Sequence, residues 1–334
     1  MNYKSLLNFL TIICFTLSWG QSKTVENVLF ESINVMEKHA VEAKTVPWKQ
    51  FRMKVKKKWK SRPNEETMVA VLLELMEYLD DYHGSFHYKD SVYQWNSNTP
   101  VVSKSILDEW KKGAVITSQL LEDQIGYLRV PGMPYLNKED CDNKAQQLND
   151  NLCSLLQENP KGLIIDLRLN GGGAMYPMIL GLQQLLEKGT IGSYTSQDAS
   201  SWFLEEKRFL MGSTVYAALQ KTCFSQHPDL PVAFLISPVT GSSAEFLLIA
   251  FQGRPNTILV GTPTAGFLTA TQGFSIDDDA FLLLSTAYGM DRNGIVYKDA
   301  FLPDIPCSSS DEFIDLSSDD KVKKAIAWIK QTQE

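Results

Sequence analysis

The sequence is poor in the residues that build metal and redox sites. Its 334 residues include five cysteines and four histidines. No two cysteines form a C-x-x-C pair, so neither a zinc site nor a thioredoxin-like redox site is predicted. Four cysteines lie beyond the N-terminal segment; this even count permits disulfides without requiring them, and the four are expected to be small core residues: Cys141, Cys153, Cys223 and Cys307. Cys141 and Cys153 share one predicted helix about 18 Å apart, which forbids a bond between them.

Long hydrophobic runs are absent except at the N-terminus. There, Lys4 precedes an apolar stretch from Leu6 to Leu17, and small residues lead to Gly20. This layout predicts a secretory signal peptide over residues 1–20, cleaved near Gly20, and hence a periplasmic or secreted protein. The stretch is short for a transmembrane helix. Cys14 follows an isoleucine rather than a small residue, so a lipoprotein anchor is not expected.

Acidic residues outnumber basic residues only modestly. The formal net charge is −7 and charged residues make up 21% of the chain. This balance disfavours nucleic acid and anionic membranes as partners. The chain also lacks internal repeats and low-complexity tracts, and its length suits one large or two modest domains.

Two kinds of pattern follow one another along the chain. Apolar residues at three- and four-residue spacing predict helices over 25–43 and 64–81, with a basic run between them that is expected to form a solvated face or loop. Beyond about residue 123, apolar strands alternate with turns and helices. GLIIDLRLNGGG and LPVAFLISPVTGSSAEFLLIAFQG each give strand, turn and helix, which is the rhythm of an α/β layered structure.

The glycine turn of GLIIDLRLNGGG can expose backbone amides. Gly171, Gly172 and Gly173 let the chain turn sharply, and such amides at a helix start bind a phosphate or a developing oxyanion. The spacing differs from G-x-G-x-x-G, so a dinucleotide site is not favoured. A tight turn with no further role is the plain alternative.

The stretch TGSSAEF admits two interpretations. Ser242 lies three residues before Glu245, as in a helix capping box. The same helix start would also suit a nucleophilic serine, because the amides and the helix dipole stabilise an alkoxide or oxyanion. The local sequence leaves both open.

A nucleophilic serine needs a base, and histidines are few. His83 and His87 fall in LDDYHGSFHY, where a predicted helix ends among carboxylates. The pair could suggest a metal, but the H-E-x-x-H pattern is missing, so no metal site is predicted.

Taken in order, these elements resemble those of the C-terminal processing (tail-specific) peptidase family, which is related to the tricorn protease core and to interphotoreceptor retinoid-binding protein. The matching stretches are LDDYHGS, IGYLRVPG, DLRLNGGG, SSAE, GTPTAG and AFLPDI. The resemblance implies an α/β fold with a ClpP/crotonase-like αββ core over residues 99–334, preceded by a helical region over 21–98. Fewer than 40 residues separate the first two stretches, so no PDZ domain and no preference for substrate tails is expected.

The family pattern implies roles for several residues. Ser242 matches the nucleophile, and the amides of Ser243 with Gly171 or Gly172 match the oxyanion hole. Many relatives carry a catalytic lysine where this chain has Phe267. No cofactor is implied.

Members without that lysine use a histidine as the base, which here is His83 with a pKa suited to proton transfer. Their orienting glutamate corresponds to Tyr297, and Asp299 two residues on is a substitute candidate. The resemblance therefore implies an exported serine endopeptidase acting on peptides or proteins. The missing lysine, Tyr297 and Ala300 motivate the alternative, a non-catalytic member that binds a peptide or an apolar ligand.

Overall fold

The computed structural model describes residues 23–96, 101–195, 201–223 and 225–333. The predicted signal peptide over 1–20 lies outside the described residues. Helices are α1 (Val25–His39), α2 (Trp48–Ser61), α3 (Glu65–Tyr78), α4 (Lys104–Lys111), α5 (Lys138–Gln157), α6 (Met175–Gly181), α7 (Ser243–Phe251) and α8 (Asp320–Gln331). Strands are β1 (Ser85–Tyr88), β2 (Ser91–Tyr93), β3 (Thr117–Leu121), β4 (Ile125–Arg129), β5 (Gly162–Asp166), β6 (Gly189–Tyr194), β7 (Ser201–Leu204), β8 (Arg208–Met211), β9 (Thr214–Ala218), β10 (Val232–Ile236), β11 (Thr257–Gly261), β12 (Thr269–Asp277), β13 (Ala280–Asp291), β14 (Val296–Tyr297) and β15 (Ile305–Pro306).

The described residues divide into two units. The N-terminal unit comprises residues 23–96 and 269–288, and the core unit comprises residues 101–268 and 289–333, with the gaps given above. The boundary predicted between residues 98 and 99 lies outside the described residues. The N-terminal unit thus includes β12 and most of β13, two strands from late in the sequence.

In the N-terminal unit, helices cover a small antiparallel sheet ordered β2, β1, β13, β12. Leu29 and Ile33 of α1, Leu72 of α3 and Leu282 of β13 are fully buried in one hydrophobic core. The predicted helices around 25–43 and 64–81 are confirmed as α1 and α3. The basic run is mostly helical in α2, where Phe51, Val55 and Trp59 are buried and most of the lysines are exposed.

The core unit is built on a six-stranded sheet ordered β15, β11, β10, β5, β4, β3, parallel except for the β3–β4 pair. Every residue of β5 and β10 is buried, as expected of parallel strands covered on both faces. Helix α8 packs on one face through Val322, Ala325 and Ile329. Phe251 of α7 packs against Phe234 of β10 with ring centroids 4.9 Å apart. The α/β prediction is confirmed.

Two of the four cysteines, expected to be small core residues, instead form a disulfide, which the even count had permitted. Cys153 in α5 and Cys223 form a disulfide, with Cα atoms 5.7 Å apart and a sequence separation of 70. The antiparallel strands β6 to β9 lie between them along the chain and bring Cys223 back to α5. Cys141 and Cys307 are free and buried, as predicted.

A buried ionic cluster explains the Asp-Leu-Arg part of the glycine-turn element. The fully buried Arg168 guanidinium donates to Asp166 at 2.7 and 3.0 Å, to Asp311 at 3.0 Å and to Asp319 at 2.6 Å. Lys321 completes the cluster by pairing with Asp311 at 2.8 Å. Removing one member of such a buried network leaves an uncompensated charge, which costs about 3–5 kcal/mol. This cluster fixes the end of β5, and with it the start of the glycine turn.

Candidate active site

Ser242 lies on a sharp turn between β10 and α7. Its backbone φ is +54° and ψ is −121°, a region that non-glycine residues rarely occupy. Such conformations cost about 1–3 kcal/mol and cluster at active sites. The turn is held from outside, because the Gly241 amide donates to the Asn170 carbonyl at 3.1 Å and the Ala265 amide donates to the Thr240 carbonyl at 2.8 Å. A strand, a strained serine and a buried helix form the arrangement that presents a nucleophilic hydroxyl.

Glu245 ties this turn to the loop that follows β11. Its carboxylate accepts from the Ser242 amide at 2.9 Å, as the capping pattern predicts. It also accepts from the Thr264 hydroxyl and from the amides of Gly266 and Phe267. Burial raises the pKa of Glu245 to about 7, although these four hydrogen bonds favour the ionised form. The sequence indicated the first contact but not the other three.

The glycine turn lies directly against Ser242. A Cβ added to Gly172 would lie 2.8 Å from Ser242 Cβ and 3.2 Å from Ser242 Oγ, and Gly172 has a φ of +109°. The Ser243 hydroxyl donates to the Gly173 carbonyl. The structure thus brings together Ser242, Ser243 and Gly172, which the family motifs implied as neighbours.

The two glycine amides of the predicted oxyanion hole differ in their surroundings. The Gly172 amide donates to Asn170 Oδ1 at 3.0 Å, and the Gly172 carbonyl accepts from the Met133 amide at 2.9 Å. Gly171 packs against Trp110 of α4, where an added Cβ would lie 2.7 Å from the indole ring. Asn170 therefore shapes the turn through its side chain and its backbone.

Phe267 and Tyr297, which stand where relatives have the lysine and the glutamate, make packing and hydrogen-bond contacts instead. Phe267 is half-buried, and its ring would lie 3.2 Å from a Cβ added to Gly241. The Tyr297 hydroxyl donates to Asp291 at 3.0 Å, and its ring stacks on Phe301. Asp299, the substitute for the orienting acid, is exposed in the core unit.

His83 belongs to the N-terminal unit, where it follows α3. Its Nδ1 lies 3.0 Å from the Thr269 carbonyl oxygen and 3.3 Å from the Thr269 hydroxyl. Burial lowers the pKa of His83, while the nearby Asp81 carboxylate opposes this shift. The lowered pKa favours the neutral imidazole, the form that can accept a proton. The contact with Thr269 was not foreseen from the sequence.

His87 has separate contacts in the same unit. Its Nε2 lies 2.9 Å from the Ser85 hydroxyl, and its ring meets Phe281 edge to face. Among the residues that the structure describes, no group of three or more His, Cys, Asp or Glu side chains could hold a metal ion. In the same residues no helix is long and apolar enough to cross a membrane.

Comparison with known proteins identifies the family to which this chain belongs. Residues 124–307, more than half of the chain, match the model of peptidase family S41. The chain therefore belongs to peptidase family S41, a family of serine peptidases, as the sequence motifs predicted.

Two relatives align over part of the chain. The nisin-resistance protein of Lactococcus lactis is 33% identical over 180 residues, which cover 53% of this chain and 52% of that protein. The carboxy-terminal processing protease CtpA of Bacillus subtilis is 23% identical over 197 residues, covering 59% of this chain and 38% of the protease. The aligned residues thus span about half or less of these relatives.

Solved structures share the fold over most of the chain. A lipoprotein from Streptococcus agalactiae superposes with a TM-score of 0.66 at 22% identity, covering 95% of this chain and all of that one. A crystal structure from Parabacteroides merdae gives a TM-score of 0.63 at 17% identity, with 92% of this chain and 97% of that one covered. The photosystem II D1 C-terminal processing protease gives 0.54 at 12% identity, with 86% and 94% covered. The predicted peptidase fold is confirmed.

Proposed function

We propose that this protein is an exported serine endopeptidase with Ser242 as its nucleophile. The observation that carries the proposal is the strained backbone of Ser242 at the start of α7, with Gly172 packed against its side chain. A capping serine needs no positive φ, because capping residues ordinarily occupy the extended region. Membership of family S41 supports the same reaction class.

The chemistry assigns one role to each residue. Ser242 Oγ attacks the peptide carbonyl while His83 Nε2 accepts its proton, and the same histidine then protonates the leaving amine. Water hydrolyses the resulting acyl-enzyme with His83 again as base. We assign the oxyanion to the amides of Ser243 and Gly171, because the Gly172 amide already donates to Asn170. Ser242 and His83 belong to different units, and their joint action is part of the proposal.

Export is part of the same proposal. The signal-like segment over 1–20 motivates it. The disulfide between Cys153 and Cys223 supports it, since disulfides persist in oxidising compartments outside the cytosol. N-terminal sequencing of the protein recovered from outside the cytoplasm should begin near Gln21. Recovery of an uncleaved chain from the cytoplasm alone would contradict export.

A serine-reactive fluorophosphonate probe tests the nucleophile. We expect the wild-type protein and Ser243→Ala to be labelled and Ser242→Ala not to be labelled. Peptide turnover, followed by mass spectrometry on a mixed peptide library with nisin included because of the Lactococcus relative, should vanish in Ser242→Ala and in His83→Gln. Labelling of Ser242→Ala would overturn the assignment of the serine.

The rival function is a non-catalytic protein that binds a peptide or an apolar ligand. Phe267 at the position of the family lysine and Tyr297 at that of the glutamate favour it, since both make structural contacts here. Its signature is tight binding of a peptide or apolar ligand to the wild-type protein with neither labelling nor turnover. That result would replace the peptidase proposal.

A further inference from the structure

A chain of polar contacts leads from Asp81 to His83 inside the N-terminal unit. The Ser285 hydroxyl lies 2.6 Å from Asp81 Oδ1. The Thr269 hydroxyl lies 2.7 Å from the Ser285 hydroxyl and 3.3 Å from His83 Nδ1. Asp81 and Ser285 are both buried, with exposed fractions of 4% and 2%. None of these contacts is needed to build the sheet, because they join side chains across strands and a loop.

The Asp81 carboxylate is fixed in place by the backbone. It accepts from the Gly84 amide at 2.7 Å and from the Ser285 amide at 3.1 Å, in addition to the Ser285 hydroxyl. A Cβ on Gly84 would lie 2.3 Å from Asp81 Oδ2, so only glycine allows the carboxylate this position. One end of the polar chain is therefore a rigid acceptor.

A rigid acceptor at one end sets the direction of every hydrogen bond along the chain. Because Asp81 accepts, the Ser285 hydroxyl donates to it and must accept from Thr269. The Thr269 hydroxyl then has only lone pairs to offer His83. The Thr269 carbonyl, 3.0 Å from Nδ1, can also only accept. Both oxygens of Thr269 thus require a proton on Nδ1.

Building on the proposed role of His83 as base, we propose that Thr269, Ser285 and Asp81 are positioning residues that hold neutral His83 with its proton on Nδ1. Nε2 then carries the lone pair that accepts the proton of Ser242. This arrangement supplies the orienting function that the sequence analysis sought at Asp299. A backbone carbonyl with a directed hydroxyl replaces the carboxylate of a catalytic triad.

The tautomer can be read without any turnover. In protein labelled with ¹⁵N-histidine, the two ring nitrogens of a neutral histidine differ strongly in chemical shift, and His83→Gln assigns the resonances of His83 among the four histidines. We expect the proton of wild-type His83 on Nδ1 at pH 7.5. A proton on Nε2 in the wild-type protein would overturn the proposal.

Two variants test the role of the directed hydroxyl. In Ser285→Ala the Thr269 hydroxyl is free to turn and donate to Nδ1, so we expect the fraction of His83 protonated on Nε2 to rise. The double variant Ser285→Ala with Thr269→Val removes that competing donor and should restore the wild-type tautomer. A purely structural role predicts the opposite, namely that the double variant is more perturbed than the single one. Thr286→Val, which alters the neighbouring residue of β13, is the control and should leave His83 unchanged.

Turnover gives the second readout. Ser285→Ala should lower kcat roughly 10- to 100-fold with KM unchanged, less than the roughly 10⁴-fold cost of losing a directly bonded carboxylate. The double variant should recover most of this loss. If the tautomer of His83 shifts in Ser285→Ala but the wild-type protein shows no turnover, the positioning role of Thr269, Ser285 and Asp81 stands and the peptidase proposal is rejected. If the tautomer of His83 does not shift in Ser285→Ala, the positioning proposal is rejected, whatever the peptidase activity of that variant.

Discussion

The carboxylate of Glu245 accepts the backbone amide of Ser242 at 2.9 Å and, through the same oxygen, the amide of Phe267 at 2.7 Å. One buried side chain therefore holds the strained serine turn and the loop after β11 in a common position. This contact makes the glutamate of the serine element a support for the backbone turn of Ser242, the proposed nucleophile, as well as a helix cap.

Replacing Glu245 by glutamine should destabilise the core unit. The amides of Ser242 and Phe267 both point at one oxygen, and the other oxygen also receives two donors. In either orientation of a glutamine side chain, its NH2 group would face two of these hydrogen-bond donors. Each amide left unpaired costs about 1–3 kcal/mol, which urea unfolding of Glu245→Gln should show. Glu206→Gln at an exposed loop position is the control, and a loss in Glu245→Gln no larger than in that control would contradict the argument.

Gly172→Ala should disable Ser242. The added methyl group would lie 2.8 Å from Ser242 Cβ and 3.0 Å from the Gly241 carbonyl oxygen, at a φ of +109°. We expect fluorophosphonate labelling to slow at least about 100-fold, because misplacement by about 1 Å costs that much. Gly113→Ala is a matched control, since Gly113 also has a positive φ, +82°, but open space around it. Equal labelling rates in the two variants would refute the steric explanation.

The titration of His83 should lie below that of an ordinary histidine. Burial lowers the pKa of folded His83 below 6.5, the ordinary value for histidine. Protonation of His83 then favours the unfolded chain. The contribution of neutral His83 to the free energy of unfolding is therefore complete above pH 6.5 and is lost as the pH falls through the pKa of the folded state. The shift of the His83 ring proton with pH, identified by its loss in His83→Gln, measures this directly. A midpoint at or above 6.5 would contradict the burial argument.

Reduction of the disulfide should weaken the core unit. The bond between Cys153 and Cys223 closes a loop of about 70 residues, for which chain entropy predicts a stabilisation of about 4 kcal/mol. We expect dithiothreitol to lower the urea midpoint of the wild-type protein but not that of Cys153→Ala/Cys223→Ala. Cys141→Ala retains the disulfide, and its midpoint should remain sensitive to the reductant. An unchanged wild-type midpoint would show that the bond adds no stability.

The local sequence pattern was sufficient to predict the helices and strands whose apolar residues follow a regular spacing. The apolar runs of β5 and β10 and the three- and four-residue spacing in α1 and α3 predicted those elements, because periodicity follows directly from strand and helix geometry. The strands β6 to β9 were not foreseen. Their short runs acquire burial only by pairing with each other and packing against helices.

The order of six short motifs determined the family, and the register of SSAE placed Ser242 at the start of a helix. What the sequence could not supply were contacts between distant residues. The Thr269 carbonyl lies 186 positions from His83, Ser285 lies 204 from Asp81, and Cys223 lies 70 from Cys153. Such pairs depend on how strands return through the fold, which neither composition nor periodicity encodes. The sequence therefore named the groups that carry the proposed chemistry, and tertiary structure decided how each is held.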